Sequence, residues 1–313
     1  MSLAFVFPGQ GSQAVGMGQE LAEVFPVARQ VFEEVDDALE SNLSRLMFQG
    51  PEEDLRLTEN AQPALMAVSL AVVRVLESEG NLRLKDKAAF VAGHSLGEYS
   101  ALAAAGSLGL ADAARLLRRR GQAMQEAVPV GEGAMAAILG LDLEAAQAVA
   151  AEAAGSEVCS SANDNAPGQV VLSGHTAAVE RAIDIAKAKG AKRAILLPVS
   201  APFHCSLMAP AAEVMAEALA GVSVEMPSVP LIANITASHL SDPDEIRRKL
   251  VEQVTGMVRW RESVAYMVVQ GVETVIELGA GKVLTGLCKR IDRSLAGQSA
   301  ESPQEVEAVL AGI

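Results

Sequence analysis

No apolar run in this chain of 313 residues reaches the ~20 residues that span a bilayer, because Gly, Pro or a polar side chain interrupts each one. Hydrophobic residues make up 50% of the chain, yet no transmembrane helix is expected. The opening MSLAFVFPGQ lacks both a basic leader and a long apolar stretch, so it reads as a first core strand and not as a signal peptide; a cytoplasmic location is expected. Cysteine is scarce. Cys159, Cys205 and Cys288 are odd in number, without CxxC spacing or a nearby His pair, which argues against a disulfide framework and against zinc, and buried thiols are expected. Positive charge is also in short supply: 25 Lys and Arg against 39 Asp and Glu give a net charge of −14, which disfavours nucleic acid and anionic membranes as partners. There is no internal repeat and no low-complexity tract.

What is present alternates. A short apolar strand at 3–7 is followed by a glycine-rich loop at 8–18, amphipathic segments at 19–39 and 62–79, a strand at 88–92 and a helix at 112–127. Single strands separated by helices predict a parallel sheet. From residue 133 the texture changes to strand (134–140), helix (143–153), strand (157–161), a turn-forming Asn163-Asp164-Asn165-Ala166-Pro167-Gly168, strand (169–173), helix (176–189) and strand (193–199). This βαββαβ order is that of a ferredoxin-like unit. The expected fold is therefore α/β, with a large core over 1–130 and 200–313 interrupted by an inserted subdomain at 131–199. Further on come helices at 211–220, 243–254 and 260–270, strands near 229–233 and 273–277, and a helix ending near Ser294. Ser302-Pro303-Gln304-Glu305 has capping-box spacing for a terminal helix.

Chemistry is concentrated at 88–99, AAFVAGHSLGEY. A buried strand, a serine between glycines and a helix start make up a nucleophile elbow, with the helix N-terminal amides beneath the Ser95 hydroxyl. The flanking glycines leave room for a tight turn. Ser95 needs a base, and the chain has four histidines. His94 adjoins the serine but points away in elbow geometry, and His175 and His239 fall in surface turns. His204 follows a strand end, where the site of an open α/β sheet lies. No Asp or Glu between Ser95 and His204 follows a main-sheet strand, so a carboxylate triad is not visible.

The chain resembles the malonyl-CoA:acyl-carrier-protein transacylases, nearly end to end. The resemblance rests on FVFPGQGSQ (5–13), QPAL (62–65), GHSLGEYSAL (93–102), RRRGQAMQ (118–125), NDNAPGQVVLSG (163–174), APFHCSLM (201–208), VEQVTGMVRW (251–260) and ELGAGKVLTGL (277–287). It implies an α/β-hydrolase-like core with a parallel sheet plus the ferredoxin-like insert. It further implies malonyl transfer from malonyl-CoA to the phosphopantetheine thiol of acyl carrier protein in fatty acid synthesis, through a malonyl-Ser95 intermediate. His204 would be general base and acid, and Gln253 would offer its backbone carbonyl to His204 in place of a carboxylate. The backbone N–H groups of Gln10 and Leu96 would form the oxyanion hole. Arg120 would pair with the malonyl carboxylate, and Phe203, Met124 and Asn163 would line the pocket. Against the acidic background, Lys189, Lys192, Lys282, Lys289 and Arg290 are candidate docking residues for an acidic carrier. No cofactor and no metal are implied, malonyl-CoA being a substrate, and a monomer is expected. Two positions depart from the family pattern: Met257 and Ala280 stand where Pro is common.

Three rival readings follow from the residues. Gly9-Gln10-Gly11-Ser12-Gln13-Ala14 fits a dinucleotide-binding G-x-G-x-x-A, but its acid would be Glu33 or Glu34, inside a helical pattern. A serine esterase or thioesterase would share Ser95 and His204 and use water as acceptor. A non-catalytic carrier-binding module would never be acylated.

Overall fold

Ser2–Phe7, SLAFVF, forms a strand whose alternate side chains enter two different apolar clusters. Leu3, Phe5 and Phe7 pack with the helix Thr58–Gly80, and Ala4 and Val6 face Trp260, Val264 and Met267. Covering both faces of one strand explains why it reads as a continuous apolar run, the pattern of a central parallel strand. The computed structural model describes residues 2–313. Its strands are β1 (Ser2–Phe7), β2 (Ala88–Gly93), β3 (Gly133–Leu139), β4 (Cys159–Ala166), β5 (Gln169–His175), β6 (Arg193–Leu196), β7 (Leu231–Ala233), β8 (Ser238–Leu240), β9 (Val272–Leu278) and β10 (Ala296–Ala300).

Six of them form a sheet in the order β10-β9-β1-β2-β7-β8, parallel throughout except for the β7–β8 pair. The other four form an antiparallel sheet in the order β4-β5-β3-β6, with the helices Leu143–Ala154 and Thr176–Ala188 packed on it around their own apolar cluster. That order is the ferredoxin-like one, so the α/β fold class with a parallel-rich sheet and a separate antiparallel sheet is present.

Several boundaries differ from the sequence expectation. The segment 19–39 is two helices, Gln19–Val24 and Pro26–Leu39, because Pro26 opens a new first turn. The helix expected at 62–79 starts at Thr58 and carries Pro63 inside it. By length and composition this helix could cross a membrane, yet its apolar window is 83% buried inside the protein. Asn163, Asp164 and Asn165 are not turn residues. They belong to β4, whose register shifts around them, and the turn shrinks to Pro167-Gly168. β6 stops at Leu196, short of the expected 199. β10, AGQSA, has little β propensity and is held by parallel pairing with β9, so no local pattern in the sequence signals it.

The loops after β1 and β2, together with Asn234 just past β7, gather at the carboxyl end of the parallel sheet, where such folds place their ligands.

Candidate active site

β2 ends in a turn at Ser95 that only small neighbours permit. A Cβ on Gly93 would lie 1.9 Å from the Gly97 backbone, and one on Gly97 would lie 2.2 Å from the Phe7 carbonyl oxygen. Ser95 itself has φ +54°, a left-handed conformation that costs a non-glycine residue about 1–2 kcal/mol. Hydrogen bonds hold it there. The Ser95 N–H donates to Asn234 Oδ1 at 2.8 Å, and Asn234 Nδ2 donates to the Gly93 carbonyl at 2.7 Å.

His204 lies across from the elbow, also at positive φ (+58°) and 4% exposed. Its Nε2 is 2.7 Å from Ser95 Oγ. Its Nδ1 faces two carbonyl oxygens, of Gln253 at 2.9 Å and of Gly256 at 3.1 Å. Two acceptors require the proton on Nδ1, which leaves Nε2 free to accept from the serine. Burial, and after it the positive charge of Arg120, pushes the imidazole down to about 3, so it is neutral near pH 7 and available as a base.

Arg120, 1% exposed on the helix Leu110–Glu126, reaches the same point. Nη1 donates to Gln62 Oε1 at 2.8 Å; Nη2 donates to Gln253 Oε1 at 2.8 Å and to Ser95 Oγ at 3.2 Å. Nε has no hydrogen-bond partner among the described residues. No carboxylate among the described residues hydrogen-bonds the guanidinium directly, Glu98 acting on it only through space, so an incoming carboxylate would find donors to pair with.

Sequence reasoning overlooked four residues in this network. Gln62 Nε2 donates to Thr58 Oγ1 at 3.1 Å, and Thr58 Oγ1 donates to Gln10 Oε1 at 2.8 Å, linking Arg120 to the loop after β1. Glu98 accepts from Gln253 Nε2, and Asn234 fixes the elbow. Gln62 and Glu98 stand inside the quoted QPAL and GHSLGEYSAL motifs, and their burial was the missing signal. Asn234 carries none beyond following a short strand.

A cavity of about 560 Å³ opens onto Ser95 and His204. Gln10, Leu96, Arg120, Met124, Asn163 and Phe203 line it, which gathers the expected oxyanion, selectivity and pocket residues around one space. Neither Gln10 N–H nor Leu96 N–H has a protein acceptor among the described residues. His94 also lines the wall, but its Nε2 donates to Asn165 Oδ1 at 2.8 Å and its ring packs near Trp260. His175 accepts the Val158 N–H, and the exposed His239 meets Tyr266.

The basic docking candidates are not brought together here. Lys189 pairs with Glu152, Lys282 pairs with Glu305 and Arg290 donates to Gln169, while Lys192 and Lys289 are exposed; none of the five lines the cavity. Among the described residues no group of three or more His, Cys, Asp or Glu could hold a metal ion. Glu33 and Glu34 lie in the helix Pro26–Leu39, away from any strand end where a dinucleotide ribose would be held.

Comparison with known proteins finds relatives over nearly the whole chain. The acyl transferase domain family matches residues 4–309. The malonyl CoA-acyl carrier protein transacylase of Bacillus subtilis (strain 168) is 48% identical over 306 residues, covering 97% of this chain and 95% of that protein. Its counterpart from Escherichia coli (strain K12) is 49% identical, covering 98% of each. Among solved structures, the acyl-carrier-protein-S-malonyltransferase of Bartonella henselae superposes with a TM-score of 0.98 at 55% identity, covering both chains completely. A malonyl-transacylase solved in complex with its type II PKS acyl-carrier protein superposes with a TM-score of 0.97 at 45% identity, again over 100% of each chain. The chain belongs to the malonyl-CoA:acyl-carrier-protein transacylase family.

Proposed function

We propose that the protein moves a malonyl group from malonyl-CoA to the phosphopantetheine thiol of acyl carrier protein, in fatty acid synthesis, by way of malonyl-Ser95. Ser95 Oγ attacks the thioester carbonyl carbon as its proton passes to His204 Nε2. The N–H groups of Gln10 and Leu96 receive the oxyanion, each such donor being worth about 3 kcal/mol or more in related sites. Collapse breaks the carbon–sulfur bond, and the CoA sulfur leaves with the proton from Nε2. The carrier thiol then gives its proton to Nε2 and attacks the acyl-enzyme, and Ser95 leaves reprotonated. The two half-reactions are mirror images, since thioester and thiol appear on both sides. No cofactor is needed for such an exchange.

The observation that carries this reading is the buried Arg120 guanidinium, hydrogen-bonded to no carboxylate among the described residues, 3.2 Å from Ser95 Oγ. An acetyl group would leave that charge unpaired, whereas malonyl brings a carboxylate that can take two parallel hydrogen bonds. A carbonyl behind His204, that of Gln253, stabilises imidazolium less than a carboxylate does, which suits exchange between two thioesters of similar energy. Phe203, Met124 and Asn163 bound the acyl pocket. Residues 131–199 act as an inserted subdomain whose Met135 and Asn163 help wall the cavity. Lys189, Lys192, Lys282, Lys289 and Arg290 are offered as carrier-docking residues, and a cytoplasmic monomer completes the reading.

The test mixes the protein with malonyl-CoA and phosphopantetheinylated carrier, then weighs the carrier and assays free malonate. Carrier heavier by one malonyl group supports the transferase; malonate released with the carrier unchanged identifies a thioesterase and overturns it.

A further inference from the structure

Glu98 is buried, 1% exposed, in the first turn of the helix Gly97–Ala104, and none of the acyl-transfer steps uses it. Its Oε2 accepts from Gln253 Nε2 at 2.7 Å and from the Asn234 N–H at 3.2 Å. Gln253 Nε2 also donates to the Ser95 carbonyl at 3.0 Å. With its nitrogen held on that side, the Gln253 amide turns Oε1 the other way, onto Arg120 Nη2. A side-chain amide carries one acceptor oxygen and one donor nitrogen on opposite arms, so fixing the nitrogen fixes the oxygen. Flipped by half a turn, Gln253 would set an NH₂ against the guanidinium and an oxygen against the carboxyl, two unfavourable contacts in a buried site. Gln62 is oriented in the same manner from the opposite side, its Nε2 on Thr58 and its Oε1 on Arg120 Nη1. Two amide oxygens therefore set the guanidinium plane, and each is aimed by a partner behind it.

Resting on the reading of Arg120 as the carboxylate receptor, we propose that Glu98 is a positioning residue for substrate selection: it locks the Gln253 amide in the one orientation that aims Arg120 at the acyl group carried by Ser95. Glu98 does not touch the substrate. His204 is held by the backbone carbonyls of Gln253 and Gly256, which do not rotate with the side chain, and Ser95 by the Asn234 side chain, whereas Glu98 meets Asn234 only at its backbone N–H. Loss of the Glu98 acceptor therefore strikes carboxylate recognition harder than the acyl-transfer chemistry itself.

Transfer kinetics for malonyl-CoA and for acetyl-CoA, with phosphopantetheinylated carrier as acceptor, test this in the wild type, Glu98→Ala, Glu98→Gln and Arg120→Ala. The expected result for Glu98→Ala is a KM for malonyl-CoA raised about tenfold, with kcat changed less than about threefold and the malonyl-to-acetyl ratio of kcat/KM lowered about tenfold. Glu98→Gln keeps an acceptor oxygen and should restore the ratio to within about threefold of the wild type. Parallel losses for both substrates, or a wild-type ratio in Glu98→Ala, would overturn the proposal. Arg120→Ala separates the two layers: a malonyl preference that survives in it defeats the reading of Arg120, whereas a preference lost there and kept in Glu98→Ala defeats the role of Glu98 alone. Should Glu98→Ala not fold, Glu98→Asp withdraws the carboxyl from Gln253 by one methylene and carries the same test, with a wild-type ratio counting against the proposal.

Discussion

Arg120 donates to the Ser95 hydroxyl oxygen across 3.2 Å, so the guanidinium and the nucleophile share one buried point. The same oxygen has His204 Nε2 at 2.7 Å. The hydroxyl is thus held between the proposed base and the proposed carboxylate receptor, and the cavity beyond it has room for a short acyl group.

Replacing Arg120 should separate substrates. Two charged hydrogen bonds of about 1.5–3 kcal/mol each are at stake, so Arg120→Ala should lower kcat/KM for malonyl-CoA by about a hundredfold or more and leave acetyl-CoA similar or improved. Equal losses for both, measured with the same carrier, would remove the carboxylate role.

The pH profile should report His204. Its imidazole is pushed from the ordinary 6.5 down to about 3 by burial and by Arg120. The base stays unprotonated through 6.5, so the acid limb of kcat/KM assigned to it should lie well below that value. A limb at 6.5 that vanishes in His204→Ala would contradict the buried, neutral base. Malonyl binding, by neutralising Arg120, should raise the imidazole in the complex and move the limb of kcat upward relative to that of kcat/KM.

Glu98 gives stability the opposite dependence. Burial pushes its carboxyl from 4.5 up to about 7, so between those values the folded state binds more protons than the unfolded. Its contribution is present below 4.5 and is lost as pH rises through about 7. Glu98→Gln lacks this loss, and its stability relative to the wild type should improve by on the order of 1–3 kcal/mol from about pH 5 to about pH 8. Urea midpoints at the two pH values measure it, and a constant difference would count against a buried, titrating carboxyl.

Two glycines should respond in opposite directions. A Cβ at Gly93 would meet the Gly97 backbone at 1.9 Å, whereas nothing lies within 4 Å of one at Gly286 in the helix Val283–Ile291. Gly93→Ala should destabilise by about 3 kcal/mol or more through overpacking, and Gly286→Ala should stabilise by about 0.5–1 kcal/mol through helix propensity. A Gly93→Ala protein as stable as the wild type would mean that the elbow is looser than its contacts indicate.

Much of this was legible in the residues. Strand and helix periodicity disclosed the alternating layout and the βαββαβ order, because both faces of β1 and one face of β3 must be apolar. The elbow was readable because Gly93 and Gly97 have a steric reason to be glycine. His204 was placed by a rule for parallel sheets, yet the strand before it, β6, lies in the antiparallel sheet and ends at Leu196, so the rule does not account for its position. What stayed hidden depends on burial and on distant contacts. Asn163 to Asn165 look like a turn by composition, yet strand pairing and the Asp164–Arg261 ion pair at 2.8 Å hold them extended. Gln62, Glu98 and Asn234 act through hydrogen bonds across 58 to 155 positions of sequence, which no local pattern encodes.

The most direct test of the account is the fate of Ser95 itself. Brief exposure of the wild type to malonyl-CoA, followed by intact-mass and peptide analysis, should show one malonyl group on the peptide bearing Ser95, none in Ser95→Ala, and its disappearance onto added carrier. An unmodified Ser95 under turnover, or a malonyl group on another residue that still reaches the carrier, would contradict it.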